Sequence, residues 1–151
     1  MGFHVLVAYD GSDESENAVE YASEIGAAMD GSITVVYAVE PDVYRAASGG
    51  DMSNFSEEYR REILRTIDEA EEAGQQELAN AASIAEEYGR SVTTELLYGD
   101  PINEVLEYAA THGVDMIVVG HRGRSERRGA TLGSVAKTIV ERASVPVTVT
   151  R

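Results

Sequence analysis

Two hydrophobic periods alternate along this chain. Phe3 to Tyr9 (FHVLVAY) is a short Val-rich apolar run and predicts a buried strand. Asp10-Gly11-Ser12 is turn chemistry. Ser12 or Asp13 can cap a helix, with Ser15 or Glu16 three residues on. Ala18, Tyr21, Ala22, Ile25 and Met29 then recur at helical spacing until Asp30-Gly31. Ser32 to Val39 (SITVVYAV) is rich in β-branched residues and predicts a second strand. Glu40 to Asn54 holds Pro41, Ser48, Gly49 and Gly50 without periodicity and reads as a mobile loop.

From Phe55 to Tyr88 the pattern is helical again. Ile63, Ile67, Ala70, Gly74, Leu78, Ala81, Ala85 and Tyr88 share a thin, Ala-rich stripe, and the run from Glu57 to Glu87 reads as a solvated acidic face. Gly74 is placed to kink or divide this helix, and Gly89 to stop it. Ser91 to Tyr98 predicts a third, partly polar strand. Asp100 as N-cap and Pro101 at the first helical position then open a helix striped by Ile102, Val105, Leu106 and Ala109 and ended by His112-Gly113. Val114 to Val119 (VDMIVV) is a strongly apolar strand, and Gly120 to Leu132 a Gly/Arg-rich loop. Leu132, Val135, Ala136, Ile139, Val140 and Ala143 form a last helix face, and Val145 to Thr150 (VPVTVT) a last strand.

The order is β-α-β-α-β-α-β-α-β. Such alternation implies a Rossmann-like α/β fold: a parallel sheet with right-handed crossovers and helices on both faces. The near-continuous apolar runs at Phe3–Tyr9 and Val114–Val119 suit central strands. With five strands the expected order is 3-2-1-4-5. Without repeat or linker, residues 1–151 read as a single domain, a length that buries roughly 70% of its unfolded surface.

Charge narrows the function classes. Acidic residues number 27 against 12 basic, for a net charge of −15 and a pI near 4.4. Such a surface repels nucleic-acid backbones and anionic lipids. Lys137 is the sole lysine; this Lys-poor, Glu-rich balance suits a halophilic protein kept soluble in salt, or simply an acidic cytosolic one. With no cysteine, disulfide scaffolds, Cys-based metal sites and thiol catalysis are excluded. No apolar run approaches a bilayer span, and MGFHVLVAYDGS reads as a strand rather than a signal peptide, so a cytoplasmic location is expected.

In an open α/β sheet, ligands bind outside the carboxyl ends of the strands where the strand order reverses. That reversal lies between the strands ending at Tyr9 and Val119, which brings Asp10-Gly11-Ser12 to Gly120-His121-Arg122-Gly123. Gly120, Gly123 and Gly133 allow positive φ and close backbone approach, and Gly133-Ser134 opens a helix whose dipole attracts anions. The alternative is ordinary turn glycines and an ordinary cap. Arg122, Arg124, Arg127 and Arg128 crowd the same loop; their forks suit phosphate, or they pair with Glu126 and acidic helices. His121 can act as a general base, a phosphate donor or a hydrogen-bond partner. His4 and His112 lie far from it in sequence, without zinc-ligand spacing, and Asp10 with Asp13 offers a metal pair, though N-capping explains Asp13 more cheaply. Neither a P-loop nor a G-x-S-x-G elbow occurs. The paired acids and lysine of a response regulator are not supplied by Asp10-Gly11 and Thr150-Arg151.

The spacing Gly120-x2-Gly123-x9-Gly133-Ser134, with VLVAYDGSDES, VVYAVEP, VDMIVVGHRGR and LGSVAKTIVERASVPVTV, resembles the universal stress protein family over essentially the whole chain. G-x2-G-x9-G-[ST] is the signature of that family's ATP-binding branch, and the fold implied is adenine nucleotide alpha hydrolase-like. The resemblance implies ATP in the reversal crevice. Asp10, beside Ala8 and Tyr9, would contact the adenosine end, and the Ala38 backbone the adenine edge. Gly120, Gly123, Gly133, Ser134 and the Val135 amide would hold the phosphates, joined by His121, Arg122 and Arg124, with Mg²⁺ riding on the phosphates. His121 departs from the small Ser or Thr frequent there, and the arginines from usual apolar residues. The last strand, an apolar edge, implies a homodimer through Val145–Thr150; the alternative is a frayed edge blocked by Pro146. No residue is placed by motif for catalysis. The expected role is a nucleotide-dependent regulator in stress response, with slow ATP hydrolysis, autophosphorylation or a nucleotide-free interaction protein as alternatives.

Overall fold

A computed structural model of the chain describes residues 2–39, 56–122 and 131–151. The loop expected over 40–54 and the residues from Gly123 to Ala130, including Arg124, Arg127 and Arg128, lie outside them.

Five parallel strands form one sheet: β1 (His4–Ala8), β2 (Ser32–Val39), β3 (Thr93–Tyr98), β4 (Met116–Gly120) and β5 (Val147–Thr150). The order is β3-β2-β1-β4-β5, as the alternating pattern predicts. Four described helices cross between them: α1 (Asp13–Met29), α2 (Glu57–Glu87), α3 (Pro101–Thr111) and α4 (Ser134–Arg142). None is long and apolar enough to cross a membrane. The sheet separates two cores. On one face Val5, Val7, Tyr9, Val35 and Val118 pack under α1 and α2; on the other Leu6, Val36, Ile117 and Val119 pack under α3 and α4. Alternate residues of one strand thus serve opposite cores. Full burial of a side chain such as Leu6, Leu78, Ile117 or Ile139 contributes about 1.5–3 kcal/mol.

Several local expectations are corrected. The buried arc of α1 is Ser15, Ala18, Val19, Ala22, Ser23 and Gly26, whereas Tyr21 and Met29 are exposed. Small residues bring this helix close to the sheet, so its larger apolar side chains are left at the flank. Of the two expected caps, Ser12 is the one that caps α1, and in the expected Asp30-Gly31 stop Asp30 takes the left-handed position (φ 50°). Gly31 is required for another reason: a Cβ there would stand 2.4 Å from the Phe3 carbonyl oxygen. Gly74 neither kinks nor divides α2. It is buried where a Cβ would meet Leu96 Cδ2 at 2.7 Å, so it lets a continuous helix lie on β2 and β3. Tyr88, placed on the buried stripe, is the exposed C-cap.

β5 forms one sheet edge. The Pro146 carbonyl accepts from Ile117 N–H at 3.0 Å, and the Thr150 carbonyl from His121 N–H at 2.6 Å. A strand residue's N–H and C=O point to the same side. Pro146 therefore places its missing donor toward β4, and the outward groups are those of Val147 and Val149. Pro146 does not block the open edge.

Candidate functional site

The reversal crevice is built where β1 and β4 end side by side, Ala8 opposite Val119. Tyr9 prolongs β1, its N–H donating to the Val36 carbonyl at 3.0 Å. Its ring is only 3% exposed and its hydroxyl accepts from Asn80 Nδ2 at 3.0 Å, so Tyr9 is a core residue of the α1/α2 face. Burial, then Glu16, Glu77 and Asp10 nearby, push its phenol up to about 12 against the opposing pull of Asn80. Ala8 packs instead against the α3/α4 core, and Ala38 lies half-buried near the end of β2, opposite Leu97.

The turn after β1 is tied by its own side chains. Gly11 takes φ 83°, which favours glycine. Asp10 Oδ1 accepts from Ser12 N–H at 2.9 Å. Ser12 Oγ accepts from Ser15 N–H at 3.2 Å, while Ser15 Oγ donates to the Ser12 carbonyl at 2.9 Å. Ser12 Oγ also donates to the Arg122 carbonyl at 3.4 Å, joining the β1 turn to the β4 turn. Sequence reasoning read Ser12 and Ser15 only as capping residues; nothing local signals the reach to Arg122.

The β4 side is pinned at both ends. The Gly133 N–H donates to the His121 carbonyl at 2.8 Å, and the His121 N–H bonds β5. Gly133, the N-cap of α4, is therefore held directly over the end of β4, and it supplies no side-chain cap. The first turn of α4 carries no acidic residue, whereas the first turns of α1, α2 and α3 all do. Its positive dipole end is left uncompensated by carboxylates of its own. Ser134 is exposed and Val135 half-buried at this terminus.

Of the two described glycines of this signature, neither uses the expected freedom in φ. Neither Gly120 nor Gly133 has positive φ; Gly133 has φ −64°. Gly120 is buried, and a Cβ on it would lie 3.0 Å from Glu14 C, Glu14 Cβ and Ser15 N. Its role is close approach, letting the first turn of α1 rest on β4. Arg122 is half-buried, and its Nε is shielded from solvent without a hydrogen-bond partner. Gly123 and Arg124 lie outside the described residues. Ala8, Asp10, Gly120, His121, Arg122, Gly133, Ser134 and Val135 thus belong to the ends of β1 and β4 and the start of α4, with Ala38 one strand away. A separate shallow groove of about 480 Å³ runs along β5, lined by Asn17, Glu20, Tyr21 and Glu24 of α1 and by Thr148 to Arg151.

The arrangement can receive a polyanion: backbone amides at an uncapped helix start, a buried guanidinium nitrogen, and two small alanines toward β2. The relatives agree with this architecture. A universal stress protein of Methanocaldococcus jannaschii is 34% identical over 149 residues, covering 97% of this chain and 81% of its own. The universal stress protein UspA of Lactobacillus plantarum superposes with a TM-score of 0.80 at 22% identity, over 99% of this chain and 97% of its own. A crystal structure of a universal stress protein in complex with cAMP has a TM-score of 0.66 at 25% identity, over 99% of this chain and 97% of its own. The model of the universal stress protein family matches residues 1–151, and the chain belongs to that family.

Proposed function

We propose that this chain is one universal stress protein domain that binds ATP in the β1/β4 crevice and acts as a homodimeric, nucleotide-dependent regulator. The observation that carries the reading is the Gly133–His121 hydrogen bond, which sets the α4 N-terminus over the end of β4 beside the Asp10 turn. The fit to a triphosphate is supported by the buried, unpartnered Arg122 Nε and by the first turn of α4, which carries no acidic residue and no side-chain cap. In this reading Asp10 and the Ala38 backbone serve the adenosine, with Ala8 and Tyr9 beside it. Gly120, Gly123, Gly133, Ser134 and the Val135 amide hold the phosphates with His121, Arg122 and Arg124, and Mg²⁺ is carried by the phosphates. The relative solved with cAMP makes an adenine nucleotide the natural ligand class. The dimer forms through Val145–Thr150, where Val147 and Val149 offer outward N–H and C=O groups beside an open groove.

The test is thermal melting with MgATP, AMP or neither. Ligand at 100 times its dissociation constant adds about 2.7 kcal/mol, which in a chain of this length raises Tm by roughly 5–11 °C. Gly133→Val keeps a permitted φ but fills the phosphate seat, and loses the shift. No shift in the native chain, with Gly133→Val melting identically, refutes the binding.

A further inference from the structure

Given the β5 dimer proposed above, on which this inference rests, the open edge fixes how a second copy meets it. Pro146 and Thr150 direct their carbonyls to β4, so Val147 and Val149 carry the outward groups. Setting Val147 against Val149 of the second copy, and Val149 against its Val147, joins all four outward groups of each strand in antiparallel pairing. That register puts a two-fold axis through Thr148, normal to the sheet. The α1 helices of both copies then lie on the same side of the joined sheet. Thr148 and Thr150 turn to that side: Thr148 Oγ1 donates to Met116 Sδ at 3.5 Å, and Thr150 Oγ1 to the Glu14 carbonyl at 3.0 Å.

The place of α1 relative to that axis follows from its anchors. Its first turn rests on β4 at Gly120. From β4 through β5 to the β4 of the second copy is three strand spacings, so the two α1 axes run about 14 Å apart. A helix with its side chains is about 10–12 Å across, so the facing side chains nearly meet. Along the strand, Thr150 is tied to the Glu14 carbonyl, and Asn17 Nδ2 donates to the Arg151 carbonyl. From there α1 runs antiparallel to β5. Asn17 to Glu24 is seven residues, or about 10 Å of helix. About three residues of strand cover the same length, from Arg151 back to Thr148. Glu24 is exposed and lines the groove beside β5 with Glu20 and Tyr21. It therefore stands level with the axis, across the groove from Glu24 of the second copy. Arg151, the cation that lines the groove, lies at the far end of this span.

We propose that Glu24 faces its own copy across the two-fold axis and makes the dimer respond to ionic strength. In dilute salt the two carboxylates oppose association; in concentrated salt they are screened and the β5 edges close. The screening length falls from about 10 Å at 0.1 M salt to about 3 Å at 1 M. A pair of exposed charges shifts an equilibrium by up to about fivefold. In a chain of net charge −15 the response is thereby placed at one position rather than spread over the surface.

Sedimentation equilibrium of the full chain from about 0.1 to about 1 M salt is the test. The native dimer tightens as salt rises. Glu24→Gln is tighter by up to about fivefold in dilute salt and responds less. Glu24→Lys separates the local pair from the net charge. It makes the chain less acidic yet restores like charges at the axis, so alone it dimerises weakly in dilute salt. Mixed with the native chain it forms the heterodimer in preference to either homodimer. Asp68→Asn with Glu72→Gln, two exposed carboxylates of α2, leaves the native salt response in place. The chain has no cysteine, so Thr148→Cys supplies a single thiol. Across the axis it meets its copy at a Cα separation of about 4.5 Å, within disulfide reach, and an added oxidant cross-links the dimer. A chain monomeric at every salt, or a dimer whose mass Val149→Pro leaves unchanged, overturns the β5 reading and this inference with it. A dimer that Val149→Pro abolishes, but in which Glu24→Lys is tighter than native without preferring the heterodimer, or Thr148→Cys does not cross-link, overturns the role of Glu24 alone.

Discussion

Gly120→Ala tests whether close backbone packing shapes the crevice. A Cβ at Gly120 would lie 3.0 Å from Glu14 C, Glu14 Cβ and Ser15 N. Relaxed carbon contacts lie near 3.5–4.0 Å, so about half an ångström or more must be found. All three atoms belong to the first turn of α1, where no rotamer change relieves the contact. That turn is held by the Ser12–Ser15 bonds, by Ser12 Oγ on Arg122 and by Thr150 Oγ1 donating to the Glu14 carbonyl at 3.0 Å. Overpacking of this kind costs about 1–3 kcal/mol, or roughly 2–12 °C in Tm at this chain length. Lifting the turn also pulls Ser12 from Arg122, so the MgATP shift shrinks as well. Gly26→Ala is the control. Its Cβ would meet Ile33 Cδ1 at 2.9 Å, the far end of a flexible side chain, and a mid-helix Ala regains about 0.5–1 kcal/mol over Gly. Calorimetry of the two variants with and without MgATP decides. If Gly120→Ala melts with the native chain and keeps the full nucleotide shift, the α1–β4 contact does not form the site.

Three further outcomes follow from the same geometry. Tyr9, raised to about 12 in the fold, ionises first in the unfolded chain, so its contribution is intact below about pH 10 and is lost as pH rises toward 12. The unfolding free energy from urea titrations across that window falls by up to about 2–3 kcal/mol for the native chain and by less for Tyr9→Phe. Val149→Pro removes an outward N–H without touching the β4 ladder, so sedimentation velocity shows the proposed dimer replaced by monomer; an unchanged mass places the interface elsewhere. At a net charge of −15, raising salt from about 0.1 to about 1 M shortens the screening length from about 10 to about 3 Å and raises Tm, as a halophilic balance requires; a flat profile counts against that origin of the charge.

The crevice was legible because it depends on strand order, and strand order follows from two apolar runs and the β-α alternation. The central pair ends at Ala8 and Gly120, each within one residue of the expected Tyr9 and Val119, whichever helix faces turn inward. The helix faces themselves were less legible. Tyr21 and Met29 fit a helical period as well as Val19 and Ser23 do, and hydrophobicity favours the larger pair. The sheet selects the smaller one because close packing against β1 and β4 excludes bulk. The glycines show the same limit. Read alone, a glycine signals freedom in φ, and at Gly11, Gly89, Gly99 and Gly113 that reading holds. At Gly31, Gly74 and Gly120 the missing side chain is what matters, and its neighbours are Phe3, Leu96 and Glu14, which no local pattern names. Ser12 reaching Arg122 across 110 positions, and His4 reaching Thr34 and His112, are contacts of the same kind. Local chemistry shows which groups can bond, and only the topology shows which ones meet. Strand ends are accordingly the positions that sequence places best, because the order of the strands sets which ends lie side by side.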